Sequence, residues 1–304
     1  MLSSLGAAIT GLTTEQQELN VIGNNLANQS TPGFKAGELD FATLLSQTFN
    51  TGTAPNPPTQ GGINPFQIGM GAQTTGVTPD QSEGPLMQTG NPLDFAIQGN
   101  GYFVLRGPNG TTYTRAGLFA VDAAGNLVDR QTGTVVQGYS NVTSAPGTSP
   151  ATVSTTATAG GLQIPQLISN PPGGGTGNYE LQSFSVGQDG TIVGTYQAVS
   201  AATTPATVSV TLGQLAIAQF ANPDGLVAVG DSQFVAGPDS GTANVTGANT
   251  SGAGQVIEGA LEGSNTNLVQ SMADLVGANG AYDTSAKVIT IAQQMQNALD
   301  QMVQ

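Results

Sequence analysis

Histidine, cysteine and tryptophan are absent from this chain, and basic residues are scarce: five Lys and Arg stand against nineteen Asp and Glu in 304 residues, a formal charge of −14. Each absence excludes chemistry. Without imidazole or thiol there is no Ser-His or Cys-His nucleophile pair, no soft-ligand metal site and no disulfide. Five scattered cations cannot line a nucleic-acid groove or an anionic-membrane patch. No run reaches the roughly 18 unbroken apolar residues of a membrane-spanning helix. The opening MLSSLGAAITGL lacks the cationic start of a cleaved secretion signal. Carboxylate pairs such as Asp122 with Asp129, or Asp224 with Asp231, are what remains for hydrolysis. They sit beside Gly-rich turns, where a solvated turn acid is the simpler reading. No segment reproduces an EF-hand loop or a nonapeptide calcium repeat, which argues against a calcium-binding adhesin. The expectation is no catalytic, cofactor-binding or metal-binding residue.

What the chain does have is a seven-residue rhythm at both ends. Leu5, Leu12, Leu19 and Leu26 stand seven apart with Ile9 and Ile22 between them, a narrow apolar stripe along one helix. Thr31-Pro32-Gly33 must end it, because a residue before proline avoids the α region. Leu268, Leu275, Tyr282 and Ile289 repeat the spacing, joined by Met272, and the stripe then changes phase to Met295 and Leu299. Ser264 is the expected N-cap, with Asn265 as the rival. Gly277 and Gly280 each weaken this second helix by about 1 kcal/mol.

Between the ends the apolar period becomes two, punctuated by turns such as Asn109-Gly110 and Asp189-Gly190, which reads as β structure. The fold class expected is α+β. N- and C-terminal helices (1–30 and 264–304) form a discontinuous coiled-coil-like domain with an all-β domain (81–140 and 181–263) inserted between them. Residues 31–80 are an extended connecting segment, and 141–180 a Pro/Gly/Thr-rich insertion or vestigial outer domain. Stripes of this kind serve ordinary helices packed on a β domain. They serve equally a helical hairpin whose flanks bury against neighbouring molecules, and few charges on the other faces favour that reading. The assembly interface it assigns is Leu5, Ile9, Leu12, Leu19, Ile22, Leu26, Leu268, Met272, Leu275, Tyr282, Ile289, Met295 and Leu299.

The run Asn24-Asn25-Leu26-Ala27-Asn28, followed by Thr31-Pro32-Gly33-Phe34-Lys35, resembles the N-terminal signature of the flagellar rod and hook proteins. In it, Asn side chains can bond backbone at the helix end, Gly33 allows the bend and Phe34 anchors the turn. Residues 91–105, NPLDFAIQGNGYFVL, are similar to the family's second signature, and Glu262-Gly-Ser-Asn-Thr-Asn-Leu268 resembles its lead-in to the C-terminal helix. The chain departs from the pattern at Ala278-Asn279-Gly280-Ala281-Tyr282, where relatives usually carry Gln-Arg before the aromatic. The resemblance implies a structural subunit that self-assembles into a helical tube and contributes to bacterial motility. Segments 64–71, 190–196 and 212–226 look hook-like, so the flexible hook is the favoured member and the straight distal rod the alternative. The partners implied are copies of the chain, neighbouring rod and hook-filament junction proteins, the hook cap during assembly and the flagellar type III export apparatus. Neither nucleic acid nor membrane insertion is expected. The place implied is the flagellum, outside the cell after export without signal cleavage.

Overall fold

The computed structural model describes residues 2–55, 61–143, 151–172, 177–199 and 206–303. They divide into two compact units, one made of Met1–Gln29, Ala36–Asp80 and Thr266–Gln304, the other of Ser30–Lys35 and Gln81–Asn265.

The first unit contains both terminal helices, α1 (Leu2–Ala27) and α2 (Leu268–Val303). They pair antiparallel. A Cβ on Gly11 of α1 would lie 3.5 Å from Ser285 Oγ of α2, while Glu18, further along α1, senses the charge of Asp274, further back on α2. Carrying the Gly11–Ser285 pairing outward brings Ala27 level with Val269 and Leu2 level with Gln294. The 36 residues of α2 therefore outrun the 26 of α1 at the C-terminal end. α1 stops where Ser30-Thr31-Pro32-Gly33 was expected to stop it. The cap of α2 differs from expectation. Asn267 Oδ1 accepts the Val269 and Gln270 N–H groups at 3.1 and 3.2 Å, so the cap is Asn267. Asn265 is turned to Ser82, its Nδ2 donating to the Ser82 hydroxyl at 3.2 Å.

Four strands follow α1 in sequence: β1 (Gly37–Thr43), β2 (Ser46–Asn50), β3 (Phe66–Gly69) and β4 (Ala72–Pro79). β1 pairs with β4 and β2 with β3, both antiparallel, so the four strands form a two-stranded ribbon with register shifts at Asp40/Phe41 and Thr48/Asn50. Within the expected extended connecting segment the strands thus pair as ladders. Every residue of β2 and β3 faces solvent, and a ribbon with no buried face leaves no in-and-out alternation to read.

The second unit is built around a thirteen-stranded sheet that folds back on itself, since strand Val135–Thr143 pairs with Ala151–Gly161 and also with Tyr102–Gly107 and Thr207–Gln219. Strand Tyr102–Gly107 has core on both faces: Phe103 and Leu105 enter the larger cluster with Phe119, Leu127 and Ile217, while Tyr102 and Val104 enter a smaller one with Tyr113 and Phe234. Two-sided burial explains the unbroken YFVL run. Within 141–180, strands Ala151–Gly161, Leu167–Ser169 and the start of Asn178–Val186 belong to this same sheet. The expected separate insertion is therefore replaced by ladder strands, and Leu162, Ile164 and Ile168 give the segment core contacts despite its polar composition. Residues 144–150 and 173–176 of that segment lie outside the described residues.

Candidate assembly site

The signature turn carries a feature that its sequence conceals. Lys35 Nζ donates to Glu262 Oε1 at 2.6 Å and to the Ser82 carbonyl at 2.6 Å. Arg115 Nη1 donates to the other carboxylate oxygen at 3.1 Å. All three side chains are buried, Glu262 with none of its surface exposed. The Gly84 N–H adds a third contact to the Glu262 carboxylate, at 3.1 Å. Arg115 is held further by the carbonyls of Ile97 and Gly99 and by the Tyr102 ring, 5.4 Å from the guanidinium carbon. Two of the chain's five cations are committed to this one carboxylate. Burying three charges costs heavily in desolvation, which their mutual contacts and hydrogen bonds offset. It ties the segment after α1 to the segment before α2.

Backbone hydrogen bonds complete the tie. The Gly33 N–H donates to the Glu262 carbonyl at 2.8 Å, and the Asn265 N–H to the Phe34 carbonyl at 3.4 Å. Gly33 has φ +69°, and a Cβ there would lie 2.5 Å from the Ala116 nitrogen. Only glycine fits both demands. Within the helical unit, Asn25 Nδ2 donates to the Gly37 carbonyl at 2.8 Å while its Oδ1 accepts the Gly37 N–H at 2.9 Å. Asn28 Nδ2 reaches back to the carbonyl and side-chain oxygens of Asn24 at 3.0 and 2.8 Å. The two asparagines thus do different work: one opens β1, the other closes α1.

The helical stripe divides. Ile22 is buried, whereas Leu5, Leu12, Leu19, Leu26, Leu275, Tyr282 and Ile289 are half-buried. Ile9, Leu268, Met272, Met295 and Leu299 are exposed. Beside Ile22, the most buried positions of the two helices are small or polar, namely Thr14, Asn25, Ala278 and Ala292. The departure at Ala278 is therefore a close-packing position. The sequence reading missed two features: the triad, because its members are 80 and 147 residues apart along the chain, and the ribbon's side chains. Phe41, Leu45, Phe49, Phe66, Ile68 and Val77 lie exposed along 37–79, with the Phe49 and Phe66 rings 5.6 Å apart.

Electrostatics touch the helix pair at one point. Burial pushes the Glu18 carboxyl above its ordinary range, helped by the neighbouring charge of Glu15 and then by Asp274. A carboxyl that holds its proton more tightly when folded favours the folded pair at low pH, and that contribution is lost as pH rises through the raised value. The Glu18→Gln variant is expected to be the more stable protein at neutral pH, with the difference shrinking on acidification. Thermal melts of both proteins across pH 4 to 7 check this (about 0.5 kcal/mol at the upper end, the size of an exposed helix pair).

Among the described residues no group of three or more His, Cys, Asp or Glu is placed to hold a metal ion, and no helix is long and apolar enough to cross a membrane. Asp122 and Asp129, the acids weighed for hydrolysis, accept hydrogen bonds from their own turns, from Ala124 and Asn126 and from Gln131 and Thr132 respectively.

Three family descriptions match the chain: Flagella basal body rod protein over residues 5–35, Flagellar hook protein FlgE/F/G D1 domain over 96–194, and Flagellar basal body rod FlgEFG protein C-terminal over 257–302. The first ends on Lys35, the second contains Arg115 and the third contains Glu262, so each contributes one member of the triad. The Flagellar basal-body rod protein FlgG of Agrobacterium fabrum is 36% identical over 97% of both chains, and that of Bacillus subtilis 33% identical over 97% of both. The Flagellar hook protein FlgE of Treponema pallidum is 41% identical over 46% of this chain and 30% of its own length. The chain belongs to the flagellar hook and basal-body rod proteins, a family of structural subunits of the bacterial flagellum.

Proposed function

We propose that this chain is a rod-type subunit, polymerising with copies of itself into a straight tube through its terminal helices. One observation carries the choice between rod and hook. Relatives named as basal-body rod proteins align along essentially the whole chain, whereas those named as hook proteins align over less than half of it. The structure supports the same reading. Strands Ala151–Gly161 and Leu167–Ser169 belong to the one sheet, so among the described residues of 141–180 there is no separate outer domain of the kind a hook subunit would need. The hook remains the second reading, favoured by the higher identity over the aligned 139 residues.

The interface is the set of apolar side chains the single copy leaves open on α1, α2 and the ribbon. Contact between different surfaces of successive copies gives open helical growth in place of a closed ring. Each copy carries a formal charge of −14, so added salt should favour growth by screening the repulsion between copies. The remaining partners are adjoining rod and hook components and the flagellar export apparatus, with the basal body as the place. Electron microscopy of the concentrated protein tests the choice. Straight, unbent tubes are expected, and uniformly curved tubes would return the chain to the hook.

A further inference from the structure

The overhang of α2 beyond α1 is not featureless. The seam that α2 turns to α1 is marked by Ala278, Ser285 and Ala292, seven residues apart, and the first and last of these are buried. The next step of seven is Leu299, flanked by Met295 and Met302. Here α1 has ended. Leu299 is 44% exposed and Met302 82%. The same face thus runs on past its intramolecular partner, and its side chains grow from small to large as it does so. At the other end of α2, Val269, Met272 and Val276 form a second uncovered apolar row, with Val269 78% and Val276 71% exposed. It lies off the seam, on a flank that α1 leaves open. The rows have matching spacings, i, i+4, i+7 in the tail and i, i+3, i+7 in the head, which are alternate registers of one heptad. Neither row contains a charge.

We infer that these rows are the two halves of one axial contact: the tail of α2 in one copy (Met295, Leu299, Met302) packs on the head of α2 in the next (Val269, Met272, Val276). The occupant is a second copy because the tail continues a seam already used within the chain, and because the head has the complementary spacing. The two halves lie at opposite ends of a helix roughly 50 Å long at 1.5 Å per residue. They cannot both be satisfied within one copy, and each copy keeps one free half at either end. Growth is therefore unlimited along the axis. The inference rests on the self-assembly reading and adds the partner surface.

Absence of native cysteine makes the test clean. Val276→Cys and Met302→Cys are introduced singly and together, and polymers are oxidised with copper-phenanthroline. The double variant should give a ladder of covalent multimers. A co-polymer of the two single variants should stop at dimers, and each single variant alone should give none. As a second measure, Leu299→Asp should raise the critical concentration for polymerisation about tenfold or more while leaving the melting of the unpolymerised protein unchanged. Tubes that form normally but yield no ladder, or dimers from a single variant alone, would overturn the axial contact and leave the tube intact. Failure of the unmodified chain to polymerise would overturn both.

Discussion

Glu262→Ala is expected to destabilise the β unit by about 3–5 kcal/mol, the range for breaking a buried ion pair from one side. The substitution leaves Lys35 and Arg115 facing each other in an interior where Glu262 now answers both. It also strips the Gly84 N–H of its acceptor. Chemical denaturation measured on the tyrosine signal should show the midpoint falling with little change of slope. A control separates charge from packing. Replacing the triad with apolar side chains of similar volume (Lys35→Met, Arg115→Met and Glu262→Leu together) should recover most of the loss, because no charge then lacks a partner. Recovery only by restoring the carboxylate would instead mean that the geometry of the triad matters beyond its charge balance.

Gly33→Ala is expected to cost a comparable amount, for an unrelated reason. The added methyl would sit 2.5 Å from the Ala116 nitrogen and 2.8 Å from its Cα. Both are backbone atoms that cannot swing aside as a side chain could. The left-handed φ of +69° adds roughly 1–2 kcal/mol of strain. Because the Gly33 N–H is itself bonded to the Glu262 carbonyl, the two lesions strike one junction. Their combination should fall short of the sum by about 0.5–3 kcal/mol, the coupling seen for residues in direct contact. Additive losses in a double-mutant cycle would show that the turn and the triad act independently.

Which features could be read from the sequence follows from how local their causes are. The ends of α1 and the body of α2 were legible because heptad spacing and the Ser-Thr-Pro-Gly stop are written in consecutive residues. The cap of α2 was misplaced by two or three residues because Ser264, Asn265 and Asn267 are all competent. Burial of Ser264 and the bonds of Asn265 to Ser82 decide among them, and both are tertiary facts. The ribbon at 37–79 was hidden because β2 and β3 are exposed on both faces and β1 and β4 are only partly covered by α1, so little alternation of polarity is selected. The strands at 151–169 were hidden because Thr and Ala tolerate both loop and ladder, and the ladder is chosen by pairing with Val135–Thr143 and Asn178–Val186. Lys35 was visible as part of a signature, but its partners come from the far side of the sequence. The signature matches located the residues without revealing that Lys35 is an anchor for a buried carboxylate.

The half-buried state of Leu5, Leu12, Leu19 and Leu26 fits helices that shelter one another in part and look to neighbouring copies for the rest. The most direct measurement is sedimentation of the full-length chain beside one lacking residues 1–28, at equal and high concentration. The full-length protein should pellet as tubes, while the truncated one stays in the supernatant with its β signal intact. Tubes from the truncated chain would contradict the claim that the terminal helices drive assembly.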